Sequence, residues 1–279
     1  MKKKIANLVV SLLFVVLIGC ELDGFLFNSR KLDKYQLPGN TIPSSLIDQV
    51  TFESGGNTLY GYWVHSSGER SGLTILYCHG NKYHIDHYWD RVMFLHRLGV
   101  NVFIFDYRGY GMSEGTSSEV GLYADGRAAL DYVTSHKAVK SDSLILYGYS
   151  LGNVVSIYLA AERTRPLCLI AEAPFASANS LTQNSLLLDV PAQWLTEGQF
   201  DNAERIKHID TPFLLLHGAD DDFVRYRDNG KIVFQNAPQP KKEIVISGAK
   251  HTDIPQTLGV ESYLDQLQEW FDFAIKSAG

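Results

Sequence analysis

The chain has 279 residues, of which 45% are hydrophobic, 12% aromatic and 20% charged, with a formal net charge of −6 and three cysteines. That apolar content excludes a disordered chain, and three cysteines are too few for a disulfide-built scaffold. The acidic balance argues against a nucleic-acid binder, which needs a basic face, so one globular domain of enzyme size is the expectation.

In chain order the first feature is Met1-Lys2-Lys3-Lys4, followed by an uncharged run over 5–19. That run is shorter than the roughly 20 apolar residues of a membrane-spanning helix, and it suits the core of a secretory signal. It ends on Leu17-Ile18-Gly19-Cys20, which resembles the bacterial lipobox. The resemblance implies cleavage before Cys20, a diacylglyceryl group on its thiol with palmitate-type chains, and a lipoprotein held to a membrane of the cell envelope. Glu21 replaces the aspartate associated with inner-membrane retention, which points to the outer membrane, facing the periplasm. Removal of 1–19 takes away three lysines and no acid, so the mature chain is more acidic still. Residues 20–47 lack periodicity and contain Pro38-Gly39 and Pro43; they read as a tether and lead-in to a domain over 48–279.

Strands are predicted at 50–53 and 59–64, joined by a turn at Gly55-Gly56-Asn57. Further strands are predicted at 73–78, 102–106, 144–147, 167–171, 213–216 and 243–246, and helices at 90–98, 118–134, 154–161 and 262–275. This alternation implies an α/β fold, with a mostly parallel eight-stranded sheet covered on both faces. The stretch 174–205 interrupts the rhythm and reads as a short lid.

Between the strand at 144 and the helix at 154 stands Gly148-Tyr149-Ser150-Leu151-Gly152. A G-x-S-x-G in that context is a nucleophile elbow: the turn lifts the serine to the tip of the sheet, at the start of a helix whose N–H groups face developing negative charge. A serine needs a base, and the base an orienting acid, in the chain order serine, acid, histidine. Of His208, His217 and His251, the last lies in a loop just after the final strand, where ligands bind in open α/β sheets. The acid is expected after the preceding strand, where Asp220, Asp221 and Asp222 compete.

At these motifs the chain resembles serine hydrolases of the α/β-hydrolase superfamily, in its compact abhydrolase-domain branch. Four motifs match in order over roughly 50–275: His79-Gly80-Asn81, the run from Asp106-Tyr107-Arg108-Gly109 to Gly115, the serine elbow, and H-G-x-x-D-x-x-V at His217, Gly218, Asp221 and Val224. The resemblance implies Ser150 as nucleophile, His251 as base and Asp221 as the acid, with an oxyanion hole from the backbone N–H groups of Asn81 and Leu151. Tyr83, Tyr149, Phe175, Trp194 and Phe223 are candidates for the substrate pocket. Asp106 and Arg108 are expected to be structural. The superfamily's strand order places Cys78 and Cys168 two strands apart, about 9–10 Å, beyond the reach of a disulfide.

The resulting expectation is a lipid-anchored serine hydrolase cleaving carboxylic esters of small molecules. The alternatives are a peptidase or thioesterase on the same residues, or a binding lipoprotein that keeps only the fold. No cofactor and no nucleic-acid partner is called for. His79, His84 and His87 have poor spacing for a metal, so no metal is expected.

Overall fold

The computed structural model describes residues 27–66, 68–182 and 200–278. Residues 1–26, with Cys20 and the signal-like run, and most of the lid, with Trp194, lie outside the described residues. Eight strands form one sheet: β1 (Ile47–Ser54), β2 (Asn57–Val64), β3 (Thr74–Cys78), β4 (Asn101–Phe105), β5 (Leu144–Tyr149), β6 (Cys168–Glu172), β7 (Phe213–Gly218) and β8 (Lys241–Ile246). Their order is β8-β7-β6-β5-β3-β4-β2-β1. The strands from β8 to β4 are parallel, and β2 and β1 close the edge antiparallel. Ser54 pairs directly with Asn57, so the turn is Gly55-Gly56 alone and Asn57 belongs to the strand. Both glycines have positive φ, as the tight turns that suit sheet twist require.

The central strands are apolar throughout because both faces are covered. Along β5, Leu144 and Leu146 enter one core while Ile145, Tyr147 and Tyr149 enter the other. On the first side pack α2 (Glu119–Asp131), α3 (Gly152–Glu162) and α4 (Gly230–Asn236); on the second, α1 (Trp89–His96) and α5 (Val260–Ala278). Helix α4 carries no strong sequence signal and was not anticipated. Helix α2 starts where Ser118 accepts the N–H of Gly121 and stops before a π turn at Tyr132–His136, so it is shorter than 118–134. Cys78 and Cys168 are buried free thiols separated by β5, and they point into opposite cores. Burial pushes both thiols up in pKa. Among the described residues no helix is long and apolar enough to cross a membrane.

The structure corrects the extent of the tether. From Phe27 onward the segment is bound to the domain. Phe27 is buried against Phe200, with ring centroids 6.3 Å apart. Asn28–Ser29 runs parallel to Lys82–Tyr83, and Tyr35 Oη donates to Asp106 Oδ2 at 2.5 Å. A strap held by a few separated anchors leaves no periodic pattern to read, which is why the segment looked loose.

Candidate active site

Chain geometry creates the elbow. Ser150 has φ +51°, a left-handed conformation that costs a non-glycine residue on the order of 1–3 kcal/mol. The neighbours hold it there. Ser150 N–H donates to Glu172 O at 3.0 Å, and the buried amide of Asn153 donates to Ser150 O at 3.0 Å and Glu172 O at 2.9 Å. Gly152 is obligatory: a Cβ there would sit 1.9 Å from Cys78 O. The start of α3 is thus pressed against the end of β3, beside the His79-Gly80-Asn81 loop.

Ser150, His251 and Asp221, far apart in sequence, meet in one line. His251 Nε2 lies 2.9 Å from Ser150 Oγ, and His251 Nδ1 lies 2.7 Å from Asp221 Oδ2. Asp221 is buried, while Asp220 and Asp222 are exposed. The other oxygen of Asp221 accepts the N–H groups of Phe223 at 3.0 Å and Val224 at 2.7 Å, so the carboxylate is fixed by its own loop. With Asp221 ionised, Nδ1 carries the proton and Nε2 presents its lone pair to the serine hydroxyl.

The histidine loop is held from beneath by residues the sequence reading missed. Arg91, buried on α1, pairs with the fully buried Glu172 at 2.8 Å and donates to Thr252 O at 3.2 Å. Tyr149 Oη donates to His251 O at 3.1 Å, and the Arg91 guanidinium lies 5.2 Å from the Tyr149 ring. Glu172 also accepts from Tyr147 and Tyr263. Burial opposes the charge on Arg91, but Glu172 and the surrounding tyrosines outweigh it and hold its pKa above the ordinary value. A carboxylate ending the apolar run of β6 was a signal for this network; its partner on α1 had none.

Asn81 sits on the second loop. Its side-chain oxygen accepts from Tyr110 Oη at 2.6 Å and from Asn28 N–H at 3.0 Å. Leu151 follows the serine in the first turn before α3. His79 is buried, with Nδ1 2.7 Å from Gly80 O and Nε2 3.1 Å from Asp106 Oδ1. Asp106 also accepts from Ile85 N–H and Tyr35. Arg108 pairs with Asp125 at 2.7 Å and donates to Ser54 Oγ, joining α2 to β1.

Of the pocket candidates, Tyr149 and Phe223 flank the imidazole, with ring centroids 5.6 and 5.1 Å from that of His251. Phe223 is 65% exposed. Phe175 is buried against Phe200. Tyr83 stands half-buried at φ +60° beside His87. Trp89 belongs to the core, where its indole N–H donates to Asn40.

Fold and sequence together place the chain in the α/β-hydrolase superfamily, and make it a hydrolase of that type. The family described as serine aminopeptidase, S33, matches residues 70–197. An uncharacterized protein of Mycobacterium tuberculosis is 30% identical over 263 residues, covering 92% of this chain and 92% of that protein. The human alpha/beta hydrolase domain-containing protein 17B is 29% identical over 226 residues, covering 79% of this chain and 73% of that protein. Among solved structures, an esterase of Pyrococcus furiosus superimposes with a TM-score of 0.69 at 21% identity, covering 88% of this chain and 97% of that one.

Proposed function

We propose that this hydrolase is a serine esterase that cleaves carboxylic esters through an acyl-enzyme, and that lipid on Cys20 holds it to a membrane of the cell envelope. The observation that carries the chemistry is the unbroken line from Ser150 Oγ through His251 to Asp221. Ser150 Oγ attacks the ester carbon as its proton passes to His251 Nε2. The carbonyl oxygen becomes an oxyanion facing the N–H groups of Asn81 and Leu151. Its collapse expels the alkoxide, which takes the proton from His251 and leaves as alcohol. Water then repeats the sequence on the acyl-serine, releasing the acid and restoring the hydroxyl. Asp221 keeps the imidazole in the working tautomer and stabilises its charged form.

The serine aminopeptidase family match and the esterases among the structural neighbours support hydrolysis at an acyl carbon. The family description also keeps a peptidase in view. A panel of p-nitrophenyl esters set against aminoacyl amides and thioesters separates these chemistries, with the esters expected to turn over fastest. A fluorophosphonate probe is expected to label the wild type and to leave Ser150→Ala unlabelled; labelling that persists at another residue refutes the assignment. Acylated Cys20 in a mass spectrum of the purified protein supports the anchor, and an unprocessed N-terminus removes it.

A further inference from the structure

The chain enters the fold at the rim of the site. Asn28 N–H donates to the side chain of Asn81, and Arg30 N–H to Tyr83 O. The strap therefore lies directly on the loop assigned to the oxyanion. The ring of Phe27 meets Phe200, which meets Phe175 at the end of β6. Seven residue steps separate Cys20 from Phe27, a span of at most roughly 25 Å. A lipid on Cys20 thus keeps this rim close to the bilayer.

Charge on the rim departs from that of the whole molecule. The chain is acidic at −6, yet on the strap and the Asn81 loop the exposed Arg30, Lys34 and Lys82 outnumber the exposed Asp33, while the exposed acids Asp220 and Asp222 lie at the Phe223 end of the rim. Arg30, Lys34 and Lys82 make no ion pair among the described residues. Cations near an anionic leaflet favour binding, and acyl chains combined with a basic patch make a stable anchor. Phe223, 65% exposed beside His251, puts an apolar ring on the same rim.

We infer that the rim formed by the strap, the Asn81 loop and Phe223 is seated on an anionic bilayer, and that the substrate is an amphiphilic ester drawn from the membrane surface. The inference rests on the lipid anchor and esterase chemistry proposed above. With the opening of the site against the headgroups, an acyl chain remains in apolar surroundings while its ester carbon reaches Ser150, and the freed alcohol departs along the interface. A soluble ester gains nothing from this arrangement.

The test uses the full-length lipidated protein in phosphatidylglycerol–phosphatidylethanolamine vesicles. Asp222→Cys places a thiol on the rim. Ser277→Cys places one at the opposite end of the sheet, beside Leu167 and Pro212. Cys78 and Cys168 are buried and spare the labelling. A polarity-sensitive fluorophore at 222 is expected to brighten on vesicles and to be quenched by a bilayer-embedded quencher, with the probe at 277 unmoved. Equal behaviour of the two probes overturns the inference. A flexible insertion of about twenty residues after Asp23 lowers the effective concentration of the site at the membrane. Turnover of a vesicle-embedded long-chain ester is then expected to fall about tenfold, with a soluble short-chain ester unchanged. No difference between the two esters also overturns it. If Cys20 carries no lipid, the anchor and this inference fall together. If Cys20 is acylated and Ser150→Ala abolishes ester turnover while the probes do not differ, the seating alone falls.

Discussion

Two loops leave the C-terminal edge of the sheet on the same dipeptide, His79-Gly80 after β3 and His217-Gly218 at the end of β7. Both histidines are fully buried, and in both one ring nitrogen lies 2.7 Å from a carbonyl: Gly80 O for His79, Val224 O for His217. The nearby carboxylates make the difference. His79 Nε2, on the far side of the ring from Gly80 O, lies 3.1 Å from Asp106 Oδ1, whereas His217 has Asp221 Oδ2 at 3.5 Å from the same nitrogen that faces Val224 O, and Gly230 leaves room for its ring, since a Cβ there would sit 2.4 Å from Nδ1. The loops also differ in what they deliver. The His217 loop offers a side chain, Asp221, to His251, while the His79 loop is proposed to offer a backbone N–H. A side chain can be removed by one substitution, but a backbone donor is reached only by moving the loop.

The largest expected effect follows from that contrast. Asp221→Asn preserves the shape of its loop but favours the wrong imidazole tautomer, and kcat is expected to fall about 10⁴-fold. Thermal melting checks that the fold persists, and a rate within tenfold of wild type would remove Asp221 from its role. On the other loop, Gly80→Ala brings a Cβ to 3.0 Å from the Tyr149 and Tyr88 side chains. Displacement of the Asn81 donor is expected to cost about 10²-fold in kcat with KM little changed; an unchanged kcat would mean the oxyanion is held elsewhere.

A pH experiment sharpens the electrostatic half of the comparison. Burial holds His217 below its ordinary pKa, outweighing its bond to Val224 O and the nearby Asp221. The unfolded chain therefore binds more protons than the folded one below about pH 6.5, and stability rises with pH through that window. The contribution is whole above the unfolded value and is lost as pH falls toward the folded one. Burial lowers His84 and His87 in the same direction. Melting temperature is expected to drop from pH 7 to 5 in wild type and to drop less in His217→Phe; parallel curves would contradict this account. The smallest effect belongs to Tyr149→Phe, which removes one hydrogen bond from the His251 loop. It should cost about 1 kcal/mol in stability, read by urea denaturation, and turnover should fall only a few-fold.

Much of the site was legible because its parts are local. Each of Ser150, Asp221 and His251 follows a strand, and each loop is short enough for its motif to specify its geometry. What was not legible depends on residues that meet only in the fold. Arg91 sits on a helix whose pattern says only that one face is apolar, yet it neutralises Glu172 and holds the carbonyl of Thr252. The strap at 27–35 reads as a tether because single anchors such as Phe27 and Tyr35 repeat with no period.

By itself the sequence determined the succession of the eight sheet strands, the serine at a turn that glycine alone permits on its far side, and the chain order of base and acid. Those are consequences of periodicity and of backbone sterics within a few residues. The tertiary structure alone decided what lies beneath the histidine loop and where the N-terminal strap docks. Each is a matter of burial and mutual approach, and the free energy of a charge or a hydrogen bond is set by what the rest of the chain brings within a few ångströms of it.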